Sequence, residues 1–148
     1  MIAETIFGMQ RDVFLAAFGL LVGAIIGFPI GLRTNYIIGR AFEYRAFLNQ
    51  AMVEVRLVSG KLKKGSCDYG RVPRADQAVR LFADQIEHLG QKSVAIALRD
   101  IAGELATKFD SAKERTEDLE FDAEKEQWIR RMESLKPNWR VFIYGTRA

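Results

Sequence analysis

Residues 13–32 read VFLAAFGLLVGAIIGFPIGL, twenty consecutive residues without a charge, with glycine at 19, 23, 27 and 31. A helix rises about 1.5 Å per residue, so this run spans roughly 30 Å, the thickness of a bilayer's hydrocarbon core. The sequence therefore predicts a transmembrane helix over 13–32. The four-residue spacing of Gly19, Gly23, Gly27 and Gly31 lays a stripe without side chains along it, and Asn35 and Gly39 continue the step. Such a stripe lets a second helix approach closely, and van der Waals contact drives association where lipid removes the hydrophobic force between helices. One Gly-xxx-Gly pair is common in membrane helices, whereas four glycines in register are a sharper signal. The stripe predicts helix packing, with another copy of the chain or with a different membrane subunit.

The flanks read as a retained anchor rather than a cleaved leader. The chain starts Met-Ile-Ala-Glu-Thr-Ile-Phe, with no base before Arg11, and the apolar run ends in Gly-Phe-Pro-Ile-Gly-Leu-Arg without a small-x-small cleavage site. A signal peptide needs a basic start and a shorter apolar stretch. Residues 1–12 form a mildly amphipathic, interfacial lead-in. Arg11 alone precedes the span, whereas Arg33, Arg40 and Arg45 follow it. That bias predicts the N-terminus outside and the C-terminal part in the cytoplasm, across an inner or plasma membrane. Pro29 removes an amide donor near the inner end of the helix, so a kink is expected there. It reads either as a tolerated interfacial proline or as a hinge between anchor and soluble part.

The remaining residues suffice for one small domain. Of all 148 residues, 49% are apolar, enough for a packed core beside the span. Mean hydropathy is −0.06 because the apolar segment offsets a charged remainder. The single cysteine, Cys67, excludes an intrachain disulfide. The net charge of +3 is uneven: residues 33–80 carry +6 and residues 81–148 carry −2. The basic half adjoins the span, where each base near anionic headgroups gains about 1 kcal/mol.

Beyond the span the pattern stays helical. Ile37, Ala41, Tyr44, Leu48, Ala51, Val55 and Val58 alternate by four and three, with Ile38, Phe42 and Met52 widening the face. This juxtamembrane helix over 33–59 either joins an intrachain bundle or forms a coiled coil between subunits. A basic loop is read over 60–74, from its glycines, Pro73 and turn formers. Over 75–148 the sequence predicts a helical domain packing with 33–59. One helix runs from about Ala75 to Leu89 and is stopped by Gly90. The next is capped by Ser93, with a stripe of Val94, Leu98, Ile101, Leu105 and Phe109, and the short link makes the two antiparallel neighbours. Ser111-Ala-Lys-Glu114 has capping-box form and opens a polar helix to about Leu135, supported by Lys113–Glu117 and Glu126–Arg130 pairs. Trp139-Arg-Val-Phe-Ile-Tyr144 alternates like a short strand or extended docking segment, suited to the bundle surface or to the headgroup level. The fold class is thus mainly α: one N-terminal transmembrane helix, a small helical bundle and a short C-terminal extended segment.

Little in the sequence supports catalysis. His88 sits near a helix end and reads as a solvated or cap-like residue. Cys67 has basic neighbours that would lower its pKa, but no histidine partner is evident. One His and one Cys cannot build a common zinc site, and no phosphate loop, nucleophile elbow or metalloprotease motif is present. The reading is non-enzymatic, with no cofactor and no metal. The carboxylates of 110–126 read as a solvated face. Arg33, Arg40, Arg45, Lys61, Lys63, Lys64, Arg71 and Arg74 are candidate contacts for anionic lipid or an anionic ligand. Only Tyr69 is available in the loop for base stacking, so nucleic acid is a poor fit. The leading functional expectation is a single-pass, oligomeric scaffold or accessory subunit whose cytoplasmic domain binds a partner. The alternative is a membrane effector whose soluble domain senses an anionic, nucleotide-like ligand and permeabilises the bilayer.

Overall fold

The computed structural model describes residues 2–62, 71–114 and 119–145. Of these, 88% are helical. In chain order the elements are α1 (Ile2–Leu57), β1 (Lys61–Leu62), α2 (Arg71–His88), α3 (Lys92–Glu114), β2 (Leu119–Glu120), α4 (Asp122–Ser134) and α5 (Trp139–Tyr144). The chain divides into two compact units, Met1–Gly39 and Arg40–Ala148, and α1 contributes to both.

In the first unit α1 is the one helix among the described residues long and apolar enough to cross a membrane. It runs through Pro29 as a single helix. Between Leu15 and Tyr36 every described side chain is exposed except the half-buried Val22.

The second unit is a helical bundle with one shared apolar core. From α1 come Tyr44, Leu48, Ala51, Val55 and the following Val58, all buried; from α2 come Val72, Ala75, Val79, Ala83 and Ile86. From α3 come Val94, Ala95, Leu98, Ile101, Ala102 and Leu105, and from α4 Trp128, Ile129 and Met132. The heptad stripe beyond the apolar run is therefore a bundle face within one chain. Its flank is narrower than expected: Phe42 is 72% exposed and Ile38 is 46% exposed. Both lie around the helix from Tyr44, which is the residue turned inward.

Cross-helix contacts fix the arrangement. Phe47 on α1 stacks with Phe82 on α2 at 6.4 Å between ring centroids. Arg99 on α3 reaches Asp84 at 2.6 Å and also pairs with Glu87, both on α2. Lys108 on α3 pairs with Glu124 on α4 at 2.7 Å. α4 returns to α1 at both its ends, through Lys125 Nζ donating to the Val58 carbonyl (2.7 Å) and Tyr44 Oη donating to the Leu135 carbonyl (3.1 Å).

The α2–α3 turn is closed by Gly90, as its sequence position implies. Gly90 has φ of +83°. Its N–H donates to Glu87 O (2.7 Å) and the Gln91 N–H donates to Ile86 O (3.2 Å). That bonding pattern is the Schellman motif, which asks for a left-handed residue that glycine adopts without a Cβ clash. The next helix begins two residues early, at Lys92, with Gln91 O accepting from Ala95 N at 3.0 Å rather than Ser93 acting as cap.

Several boundaries differ from the sequence reading. The 60–74 loop is shorter, because α2 starts at Arg71. Pro73 is tolerated there, since first-turn amides lack helical acceptors anyway. Lys61–Leu62 pairs antiparallel with Leu119–Glu120, a two-residue ladder within stretches read as loop and helix. Ser111 does not open a helix: α3 runs on to Glu114. No glycine or proline stands between Gly103 and Ser111 to stop the propagating helix. The helix expected from Ser111 instead starts at Asp122. The expected Glu126–Arg130 pair is not formed, whereas neighbouring Arg131 binds Glu104 at 2.6 Å; Lys113–Glu117 includes a residue outside the described ones. The C-terminal segment is not extended. Trp139–Tyr144 is a helix, capped by Asn138, whose side chain accepts from Arg140 N, and ended at Gly145 with φ of +76°. Of this helix only Phe142 is buried.

Gly60 is held where no side chain fits. A Cβ there would overlap the Asp122 carboxyl and stand 3.1 Å from its Cα. The Gly60 carbonyl also accepts from Phe121 N at 2.8 Å, joining the end of α1 to the start of α4. Gly60→Ala is expected to destabilise the bundle by about 1–3 kcal/mol, the usual range for overpacking. Adding Asp122→Ala should recover part of the loss, while crowding against the main chain of residue 122 keeps the rest. Thermal melts of the three variants check this.

Candidate functional site

The two candidate sites lie in different units. On the first, the four glycines follow one another along α1 with an advance of about 40° per step, set by 3.6 residues per turn. A Cβ built on Gly19, Gly23, Gly27, Gly31 or Gly39 meets nothing within 4 Å. No described part of the chain covers the stripe. The bulky residues around it are open as well: Leu20 is 77% exposed and Phe28 68%. Pro29 lies between the last two glycines, where Ile25 O has no amide donor four residues on. Thr34 Oγ1 donates to Ile30 O at 2.8 Å one turn further along.

On the second unit the candidate basic residues do not gather into one site. Arg71 and Arg74 share a cavity of about 390 Å³ with Glu54, Leu57 and Val58. This places two guanidiniums at the start of α2, a turn without acidic residues. The cavity wall also carries the Glu54 carboxylate, so its charge is mixed. Lys61 is engaged elsewhere, bound to Glu120 at 3.1 Å across the β1–β2 pair. That hydrogen bond and charge hold its ammonium pKa above the usual value. Arg40 lies 3.5 Å from the His88 carbonyl, and Arg33 and Arg45 are exposed on α1. Lys63 and Lys64, like Cys67 and Tyr69, lie outside the described residues.

The described acids of the 110–126 stretch are exposed or ion-paired. Asp110, Glu120, Asp122 and Glu126 are exposed. Glu124, half-buried, is drawn below the ordinary carboxylate range by its bond from Lys108. Among the described residues no group of three His, Cys, Asp or Glu could hold a metal ion. His88, the last residue of α2, is exposed.

Two polar joints escape the sequence reading. Glu104 on α3 receives the Trp128 indole N–H and the Arg131 guanidinium, each at 2.6 Å. The Arg131 bond, with help from Trp128, holds its pKa below the usual value. Gln91 is 1% exposed. Its amide nitrogen donates to Asn138 O (3.1 Å) and its amide oxygen accepts from Asn138 N (2.7 Å). One side chain thereby pairs with the backbone of one residue, in the manner of a β-bridge. Neither joint has a local signature: a glutamine after a helix-ending glycine and a glutamate on a mixed helix both read as solvent-facing.

Compared with protein-family models, curated proteins and solved structures, the chain matches none of them.

Proposed function

We propose that this chain is a single-pass membrane protein that packs through its glycine stripe against another membrane helix, its own copy or a different subunit, and presents its helical bundle to a cytoplasmic partner. In this reading it is a non-enzymatic scaffold or accessory subunit, with the N-terminus outside. The observation that carries it is the first unit of α1: a continuous helix with exposed apolar flanks and four glycines in register that nothing in the described chain covers. Exposed surface of this kind is untenable in water and marks a lipid or helix contact. The test is purification of the full chain in mild detergent after an alkaline membrane wash, with mass measurement of the intact complex. The reading expects retention in the membrane and a mass above that of one chain. Release into the aqueous fraction, or a bare monomer, overturns it.

The effector reading rests on the cavity that brings Arg71 and Arg74 together. Glu54 in its wall, and a span without polar side chains to line a pore, support the scaffold reading instead.

A further inference from the structure

Building on the reading of a membrane-anchored chain, we infer that α5 is a second membrane contact, a short interfacial foot that docks on an anionic phospholipid surface. Three observations converge on it. First, α5 buries Phe142, half-buries Val141 and leaves its other bulky apolar side chains exposed: Trp139 is 53% exposed, Tyr144 72% and Ile143 39%. Trp and Tyr beside an aliphatic residue are the side chains that settle at headgroup depth, with apolar body and polar tip. Second, the charge along this stretch of chain is of one sign. Residues 135–148 carry Lys136, Arg140 and Arg147 and no acid. Lys136 and Arg140 are exposed, and among the described residues neither is in an ion pair.

Third, the foot is fixed inside the second unit, on the first turns of α1 that belong to it. The Phe142 ring packs against Tyr44 at 6.3 Å and against Trp139 at 5.6 Å. Tyr44 follows the first residue of the second unit, Arg40, by about one turn of α1. The Leu135 carbonyl is held by Tyr44 and the Asn138 backbone by Gln91. The foot is therefore anchored on its inner flank and open on its outer one. One helix of six residues is far below the roughly 800 Å² per partner of a stable protein interface. A bilayer asks for less: an apolar face sunk about 5–10 Å into the headgroup boundary, with bases beside it.

The test uses the full chain reconstituted in vesicles of phosphatidylcholine with phosphatidylglycerol, a fraction of the lipids brominated high on the acyl chains. Trp128 is buried, so the signal of Trp139 is the difference between the native chain and Trp139→Phe. The expected result is a blue-shifted Trp139 emission that bromolipid quenches and aqueous iodide does not. Lys136→Glu and Arg140→Glu should each weaken docking by about fivefold in these vesicles, read as loss of bromolipid quenching. Trp139 emission quenched by iodide and untouched by bromolipid overturns the inference. So does emission protected from both, which assigns the face to a protein. Alkaline extraction of the same vesicles reports the span separately: a chain retained but unquenched sinks the foot alone, and a chain released sinks the anchor.

Discussion

Gly23→Leu combined with Gly27→Leu is expected to lower helix association in the membrane by about tenfold or more, equivalent to about 1.4 kcal/mol or above. Close approach of two helix backbones is the source of that attraction, and two isobutyl groups on the contact line hold the backbones apart. The double variant is a clean probe, because a Cβ at either position meets nothing within 4 Å in the chain itself. Glycine is also the poorer helix former, so leucine should leave α1 intact or firmer. The measurement is a membrane reporter of self-association, paired with the mass of the detergent complex. Ile25→Ala, on the opposite side of the helix from both glycines, should leave both readouts unchanged. A native chain without reporter signal, whose complex loses mass in the double variant, identifies a different subunit as the partner. Both readouts unchanged removes the stripe as a contact.

The second large effect is expected at Gln91. Gln91→Ala should destabilise the bundle by about 2–4 kcal/mol, since two hydrogen bonds vanish and the Asn138 N–H and carbonyl lose their partners. For a unit of this size the melting temperature should fall by roughly 10 °C. Gln91→Glu sets a carboxylate oxygen against the Asn138 carbonyl in a buried site, so it should lose at least as much as Gln91→Ala. The far-ultraviolet circular dichroism melt of each variant in detergent gives the stability. Trp139 emission gives the local consequence, because α5 starts beside the joint that Gln91 makes. A Gln91→Ala protein as stable as the parent would show that water replaces both bonds.

What the sequence made legible was periodicity and punctuation. The stripes on α1, α2 and α3 follow from apolar residues at three- and four-residue spacing, and Gly90 follows from its place after the last of them. Local rules failed where two of them competed. Ser111 has the residues of a capping box, yet the preceding helix had no reason to stop, so propagation won. Trp139–Tyr144 alternates like a strand, yet Asn138 and Gly145 supply a cap at each end of a single helical turn and a half. Phe42 has the hydrophobicity of a core residue, but position around the helix decides burial, and the inward direction is set by Tyr44. Of the candidate site, the glycine register was legible in full, because helix geometry alone places it. The basic residues were not, because their grouping depends on which acids reach them across the bundle: Glu120 takes Lys61, while Arg71 and Arg74 meet at a cavity edge.

Asn138 divides two duties between different atoms. Its main chain meets Gln91, while its carboxamide oxygen caps α5. The joint with position 91 is therefore blind to the identity of residue 138, and only proline, which has no N–H, is barred there on that account. Serine or aspartate could serve the cap equally well. Position 91 has no such latitude: asparagine is one methylene shorter, and no other neutral side chain offers a coplanar donor and acceptor at that reach. Mutational tolerance should thus be sharply lopsided across a single pair of bonded residues, broad on one side and confined to glutamine on the other.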